Sequence, residues 1–237
     1  MIKPRRKLLT SLWPMAVLTQ LVFCGAALAS TNTSVEHDLQ LWTPVTLDCK
    51  IYKKWRGYFE VVPRVGDGVS GLNQLLIRPA IEYRKRDNLS FMVGYLWQSN
   101  YSGANVINEH RIWEQLLVNK CYKKLTIINR SRVEQRLFEN LPNAGVRLRH
   151  MLKLNYPITK RFYATAQDEL FVNANSVENG PQAGIDQNRI FAGIGIKPHK
   201  RARTEVGYQY QYVNRSDQFN DQANHAIVIQ SFIGITD

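Results

Sequence analysis

Apolar and polar side chains alternate with a period of two through most of the chain. Leu75, Ile77, Pro79, Ile81 and Tyr83 interleave with Leu76, Arg78, Ala80, Glu82 and Arg84. Leu89, Phe91, Val93, Tyr95 and Trp97 interleave with Ser90, Met92, Gly94, Leu96 and Gln98. Val146, Leu148, His150, Leu152 and Leu154 interleave with Arg147, Arg149, Met151 and Lys153, and Thr204 to Tyr212 repeat the pattern against Arg203 to Gln211. A period of two sustained this long predicts strands with two chemically different faces. Eleven such runs are read, near 37–51, 55–65, 72–85, 89–98, 109–119, 124–138, 145–156, 161–174, 186–197, 201–213 and 223–234. Many exceed the five or six residues usual for soluble strands and match the roughly 9–11 of a tilted membrane strand.

The connections sort into two lengths. Tight turns are expected at 52–54, 86–88, 120–123, 157–160 and 198–200, and longer polar loops at 66–71, 99–108, 139–144, 175–185 and 214–222. Short turns at one end and long loops at the other are the asymmetry of outer-membrane barrels. Aromatics such as Tyr83, Tyr95, Trp97, Tyr156, Phe162, Tyr208 and Tyr210 fall on the apolar face, as amphipathic rings at a membrane interface do. The expected fold is all-β: one closed antiparallel transmembrane meander barrel over 30–237. Eleven is odd and single-chain bacterial barrels are even. About twelve strands are therefore expected, ten being the second choice, with 30–36 either adding a strand or entering the lumen.

Residues 1–29 read as a cleaved signal peptide: Lys3, Arg5, Arg6 and Lys7, an apolar stretch from Leu8 to Phe23, then Ala27-Leu28-Ala29. The formal charge is +12 with a pI near 9.7. Removing the segment takes away four basic residues and leaves about +8. Export argues against a nucleic-acid partner. Beyond residue 30 no apolar run approaches the roughly 20 residues of a spanning helix. Cys49 and Cys121 remain, and four intervening strands are expected to keep them apart and unbridged.

Function is sought on the polar face. The expected lumen-lining side chains are Arg56, Glu60, Arg64, Arg78, Glu82, Arg130, Arg132, Glu134, Arg136, Arg147, Arg149, Glu169, Arg189, Arg203 and Glu205. An Arg facing lipid near the midplane costs roughly 2–4 kcal/mol, so Arg130, Arg132 and Arg136 must face inward. Arg–Glu pairs between strands would rigidify the lumen; an anion-favouring narrow pore is the functional form of the same lining. The alternative is an outer-membrane lipid hydrolase, of the phospholipase or lipid A deacylase type, with outward Ser131 and His150 oriented by Glu114 or Asn188. No nucleophile motif supports it, and an enzyme is the weaker expectation. The five histidines are dispersed, a calcium site at Asp217 and Asp221 is a minor option, and no cofactor or metal site is expected.

Asn108 to Gln115 (NEHRIWEQ), Arg132 to Arg136 (RVEQR), Asp168 to Phe171 (DELF) and Asp186 to Gly193 (DQNRIFAG) together resemble the bacterial proteins grouped as domain of unknown function 2490. Gly94-Tyr95 and Gly207-Tyr208 belong to the same resemblance, which spans nearly all of 37–234. It implies an outer-membrane barrel and no particular activity. The partners expected are outer-membrane lipids and the barrel-assembly machinery during insertion; oligomeric state is left open. The tight turns carry Lys53, Lys54, Arg84, Lys85, Arg86, Lys120, Lys123, Lys124, Lys160, Arg161, Lys200 and Arg201. If that end is periplasmic, each cation near the surface adds about 1 kcal/mol of attraction to anionic headgroups.

Overall fold

The alternating runs become twelve strand elements, β1 (Val35–Trp42), β2 (Val45–Tyr52), β3 (Trp55–Gly66), β4 (Gly71–Arg86), β5 (Leu89–Ser102), β6 (Asn105–Tyr122), β7 (Leu125–Phe138), β8 (Gly145–Pro157), β9 (Phe162–Asn173), β10 (Gly184–His199), β11 (Ala202–Val213) and β12 (Asp221–Gly234). The structure, a computed structural model, describes residues 34–215 and 220–235. The expected signal segment and Asp217 lie outside them. No helix occurs among the described residues.

From β2 to β12 each element pairs antiparallel with the next, as the meander requires. The closure departs from that expectation. β12 runs parallel to β1, from Val35↔Asp221 to Trp42↔Val228, and parallel to β2, from Val45↔Ser231 to Asp48↔Gly234. The offset is the same throughout. Against β3 the two elements also share one register, Trp42 opposite Arg64 and Val45 opposite Val61. β1 and β2 are thus one wall strand interrupted at Thr43–Pro44. The ladder survives the break through Thr43 N–H to Pro63 O (3.1 Å) and Ser231 N–H to Pro44 O (2.8 Å). Pro44 itself has no N–H to give.

The wall therefore has eleven strands in twelve elements. Neither the expected total of about twelve nor the second choice of ten describes it. An odd number of strands in up-and-down order brings first and last into parallel alignment, which is the seam observed. A second correction concerns 99–108. The expected loop is hairpin: β5 runs to Ser102 and β6 begins at Asn105, with Gly103 at φ +59. The polar side chains that suggested a loop bond each other across the strands instead, Ser99 Oγ to Asn108 Oδ1 at 2.5 Å and Gln74 Nε2 to Asn100 Oδ1 at 3.0 Å.

The two faces separate as the alternation predicts. Along β8, Arg147, Arg149, Met151 and Lys153 are buried while Leu148 is 46% exposed. An apolar cluster of Val62, Leu76, Met92, Leu96 and Trp113 packs inside β3 to β6. Trp113 lies over Gly94, directly across the ladder, where any Cβ would overlap the indole. A smaller cluster, Trp42, Phe191, Ala226 and Val228, backs the parallel seam.

Candidate functional site

Inward side chains meet across the barrel, and their chemistry divides the interior in two. Toward the long-loop end lies a packed plug. Glu134, fully buried, accepts from Arg147 Nη2 at 2.7 Å and Arg149 Nη1 at 2.6 Å. Arg132 and Arg111 stand 3.5 and 3.8 Å from the same carboxylate. Arg147 also reaches Asp186 at 2.9 Å, and Glu109 receives Arg111 at 2.7 Å and Arg136 at 2.6 Å. Beyond the chamber floor described next, the buried interior carboxylates Glu109, Glu134 and Asp186 face three guanidiniums, Arg111, Arg136 and Arg147. These six side chains balance in charge and are all buried, the most exposed at 8%.

Toward the short-turn end the interior opens into a chamber of about 1380 Å³. Lys160, Lys200 and Arg201 of the tight turns stand at its mouth. Its floor, the lining residue deepest on each strand, carries Arg64, Arg78, Arg132, Arg149 and Arg189 with one carboxylate, Glu169. Fourteen Lys and Arg line the chamber against five Asp and Glu, so the enclosed space is strongly cationic. Several cations are neutralised locally. Glu169 accepts from Arg130 at 2.6 Å and Arg149 at 2.7 Å. Lys153 reaches Glu205 at 2.5 Å, Arg56 meets Asp48 at 2.6 Å, Arg84 meets Glu82 at 3.1 Å, and Arg78 pairs with Glu60. Arg203 instead stacks on Phe232, 4.1 Å from the ring centroid. The fifteen residues singled out from the sequence all lie on the interior face. Arg136, Arg147 and Glu134 belong to the plug, and eleven of the others line the chamber; Arg56 sits beside its rim acids.

Missed at the sequence level are the neutral and aromatic groups that hold the arginines. Gln115 Oε1 accepts from Arg132 Nε and Nη2 at 3.0 and 2.7 Å. Trp42 lies under Arg64, and Phe171 under Arg149 and Arg189. These residues fit the inward half of the alternation, but their partners come from strands distant in sequence.

On the outer face Ser131 Oγ and His150 Nδ1 are 2.9 Å apart. Neither expected orienting residue bonds His150: Glu114 accepts from Gln135 at 3.3 Å, and Asn188 donates to Asp168 at 2.9 Å. Asn129 takes that place, its amide 3.2 Å from His150 Nε2. The pair sits mid-wall in an apolar external hollow of about 760 Å³, beside Leu116, Val133, Leu148 and Leu170. Two of the dispersed histidines also meet, His37 Nδ1 and His225 Nε2 at 3.0 Å, across the parallel seam. No group of three His, Cys, Asp or Glu suited to a metal occurs among the described residues. Asp221 is engaged by Tyr212 Oη at 2.5 Å. Cys49 and Cys121 are free thiols on β2 and β6, with β3, β4 and β5 between them.

The family model described as a protein of unknown function (DUF2490) matches residues 39–223. An uncharacterised protein of Methylorubrum extorquens is 29% identical over 226 residues, covering 91% of this chain and 97% of the relative. Among solved structures, a NanC porin in a rhombohedral crystal form is similar at a TM-score of 0.49 and 12% identity, over 82% of this chain and 95% of that one.

Proposed function

The chain belongs to the DUF2490 family, and from that premise we propose that it is an outer-membrane barrel whose interior is an anion-favouring chamber shut at its long-loop end. The membrane location rests on the outer wall. Ile81, Val93, Ile112, Leu148, Ile194 and Ile227 are 45–52% exposed on strands spread around the barrel. A soluble monomer rarely exposes contiguous apolar surface beyond a few hundred Å², whereas lipid covers such a belt. Tyr52, Trp55, Tyr122, Tyr156 and Phe162 ring the short-turn end, where an interfacial girdle belongs. With the short turns toward the periplasm, the chamber opens there.

The observation that carries the functional reading is the excess of fourteen basic over five acidic residues lining the chamber. In a low-dielectric enclosure such an excess concentrates anions and repels cations. Passage to the other side requires the Glu134 plug to move, so the barrel behaves as a closed or rarely opening pore. Reconstitution in planar bilayers under a KCl gradient tests this. Small, infrequent currents with a reversal potential displaced toward that of chloride are expected. Cation-selective current, or a large steady unselective conductance, contradicts the reading; complete silence leaves a barrel with no transport role.

A second reading, lipid hydrolysis, draws on the Ser131–His150 contact. Asn129 Nδ2 donates to His150 Nε2 at 3.2 Å, which leaves the ring hydrogen on Nδ1, facing Ser131 Oγ; a base for Ser131 needs the other tautomer. The mid-wall position, remote from water, and the lack of a preorganised oxyanion donor weigh against it. Fatty-acid release from phospholipid vesicles that Ser131→Ala abolishes would establish hydrolysis. Release unaffected by Ser131→Ala, or none from folded protein, discards it.

A further inference from the structure

Of the arginines on the chamber floor, Arg64 and Arg189 differ from the rest. Arg78, Arg132 and Arg149 each have a carboxylate within 4.0 Å. Among the described residues, Arg64 donates only to Gln74 Oε1, at 2.7 Å, and Arg189 only to Gln187 Oε1, at 3.0 Å. The Nε of each is buried with no acceptor. Both guanidiniums lie over the Trp42 ring, 3.8 Å and 5.3 Å from its centroid. Gln209, also on the floor and 7% exposed, has a buried Nε2 with no acceptor.

The register explains why these groups meet. Trp42 stands opposite Arg64 on one side and Val228 on the other; β12 leads to β11 and Gln209, and β11 to β10 and Arg189. The cluster straddles the parallel seam, where Ala226 and Val228 pack with Trp42. Glu169 stands opposite Arg189 in the ladder but is bonded by Arg130 and Arg149, so neither Arg64 nor Arg189 has an acid of its own. A buried guanidinium that lacks a close counter-charge is costly, and a planar fork with N–H groups to spare matches a carboxylate or phosphate in two-point contact. Two such forks beside an aromatic face form an oxyanion site. The chamber above, about 1380 Å³, has room for an organic acid, since ordinary small-molecule pockets measure roughly 300–1,000 Å³.

We propose that Arg64 and Arg189, with Gln209, bind the carboxylate or phosphate of a small organic acid that enters through the short-turn mouth. This deepens, and rests on, the reading of the chamber as anion-favouring. Calorimetric titration of the folded protein in detergent, at constant NaCl, tests it with three probes. Glucuronate offers a carboxylate, glucose 6-phosphate a phosphate, and glucose neither. Saturable binding of one or both acids is expected, with none for glucose; which acid binds tighter identifies the oxyanion. Arg64→Gln and Arg189→Gln should each weaken that binding at least about tenfold, whereas Lys53→Gln, at an exposed turn outside the chamber lining, should change it less than about twofold. Arg64→Lys keeps the charge without the fork and should fall between wild type and Arg64→Gln. Heat-modifiable migration on a gel certifies each variant as folded. Equal binding of glucose, no binding of either acid, or undiminished binding in both glutamine variants overturns the site. Chloride-directed reversal potentials that persist in those variants would then show that the chamber reading survives without it.

Discussion

A single carboxylate, Glu134, draws guanidiniums from β6, β7 and β8 at the centre of the plug: Arg111, Arg132, Arg147 and Arg149. Removing one partner of a buried ionic cluster leaves the others uncompensated and costs about 3–5 kcal/mol. Glu134→Gln is expected to lower unfolding stability by that order, read as a fall in the urea midpoint of the folded band. Glu36→Gln, at an exposed rim pair with Arg215 at 3.5 Å, should shift it by less than about 1 kcal/mol. Equal midpoints for the two variants would contradict the plug. Alternation alone places Arg130, Arg132, Glu134 and Arg136 on one inward face. It does not reveal that Glu134 serves arginines from β6 and β8 as well, or that no acid among the described residues pairs with Arg64. Those facts depend on wall curvature, which the local pattern does not encode.

At the scale of elements, the wall is set by where strands approach and where they break. Gly193 and Gly207 face each other across β10 and β11, and a Cβ on either would strike the backbone of the other strand. Gly207→Val is expected to abolish the heat-modifiable folded form. Gly71→Val, at a site where a Cβ meets nothing within 4 Å, should leave it intact. Normal folding of Gly207→Val would refute the close approach. Most strands are legible because their two faces differ chemically over ten or more residues. The failures have physical causes. Residues 99–108 carry polar side chains on both faces of the hairpin that bond across the strands, Gln74 with Asn100 and Ser99 with Asn108, which resembles a loop in composition. Pro44 splits one strand into two elements without changing its register. Eleven runs are readable along the chain, but the parallel pairing of β1 with β12 joins segments about 186 positions apart, and no nearby residue announces it.

The whole molecule is a barrel with unlike halves: a neutralised, filled end and a cationic, hollow one. The basic tight turns fit this architecture as the mouth of the chamber, since Lys124, Lys160, Lys197 and Lys200 line its opening. Sequence reading placed those cations at one end without showing that they enclose a space. Thiol accessibility in proteoliposomes tests the one-ended chamber most directly. In a background with Cys49 and Cys121 changed to serine, cysteines at Lys200 and Asn143 report which end faces the reagent. Gln167, a half-buried residue of the chamber wall on β9, supplies the probe position. With a small charged membrane-impermeant reagent, Gln167→Cys should be modified from the side that modifies Lys200→Cys and stay protected from the side that modifies Asn143→Cys. Modification from both sides, or only from the Asn143 side, would contradict a chamber closed at its long-loop end.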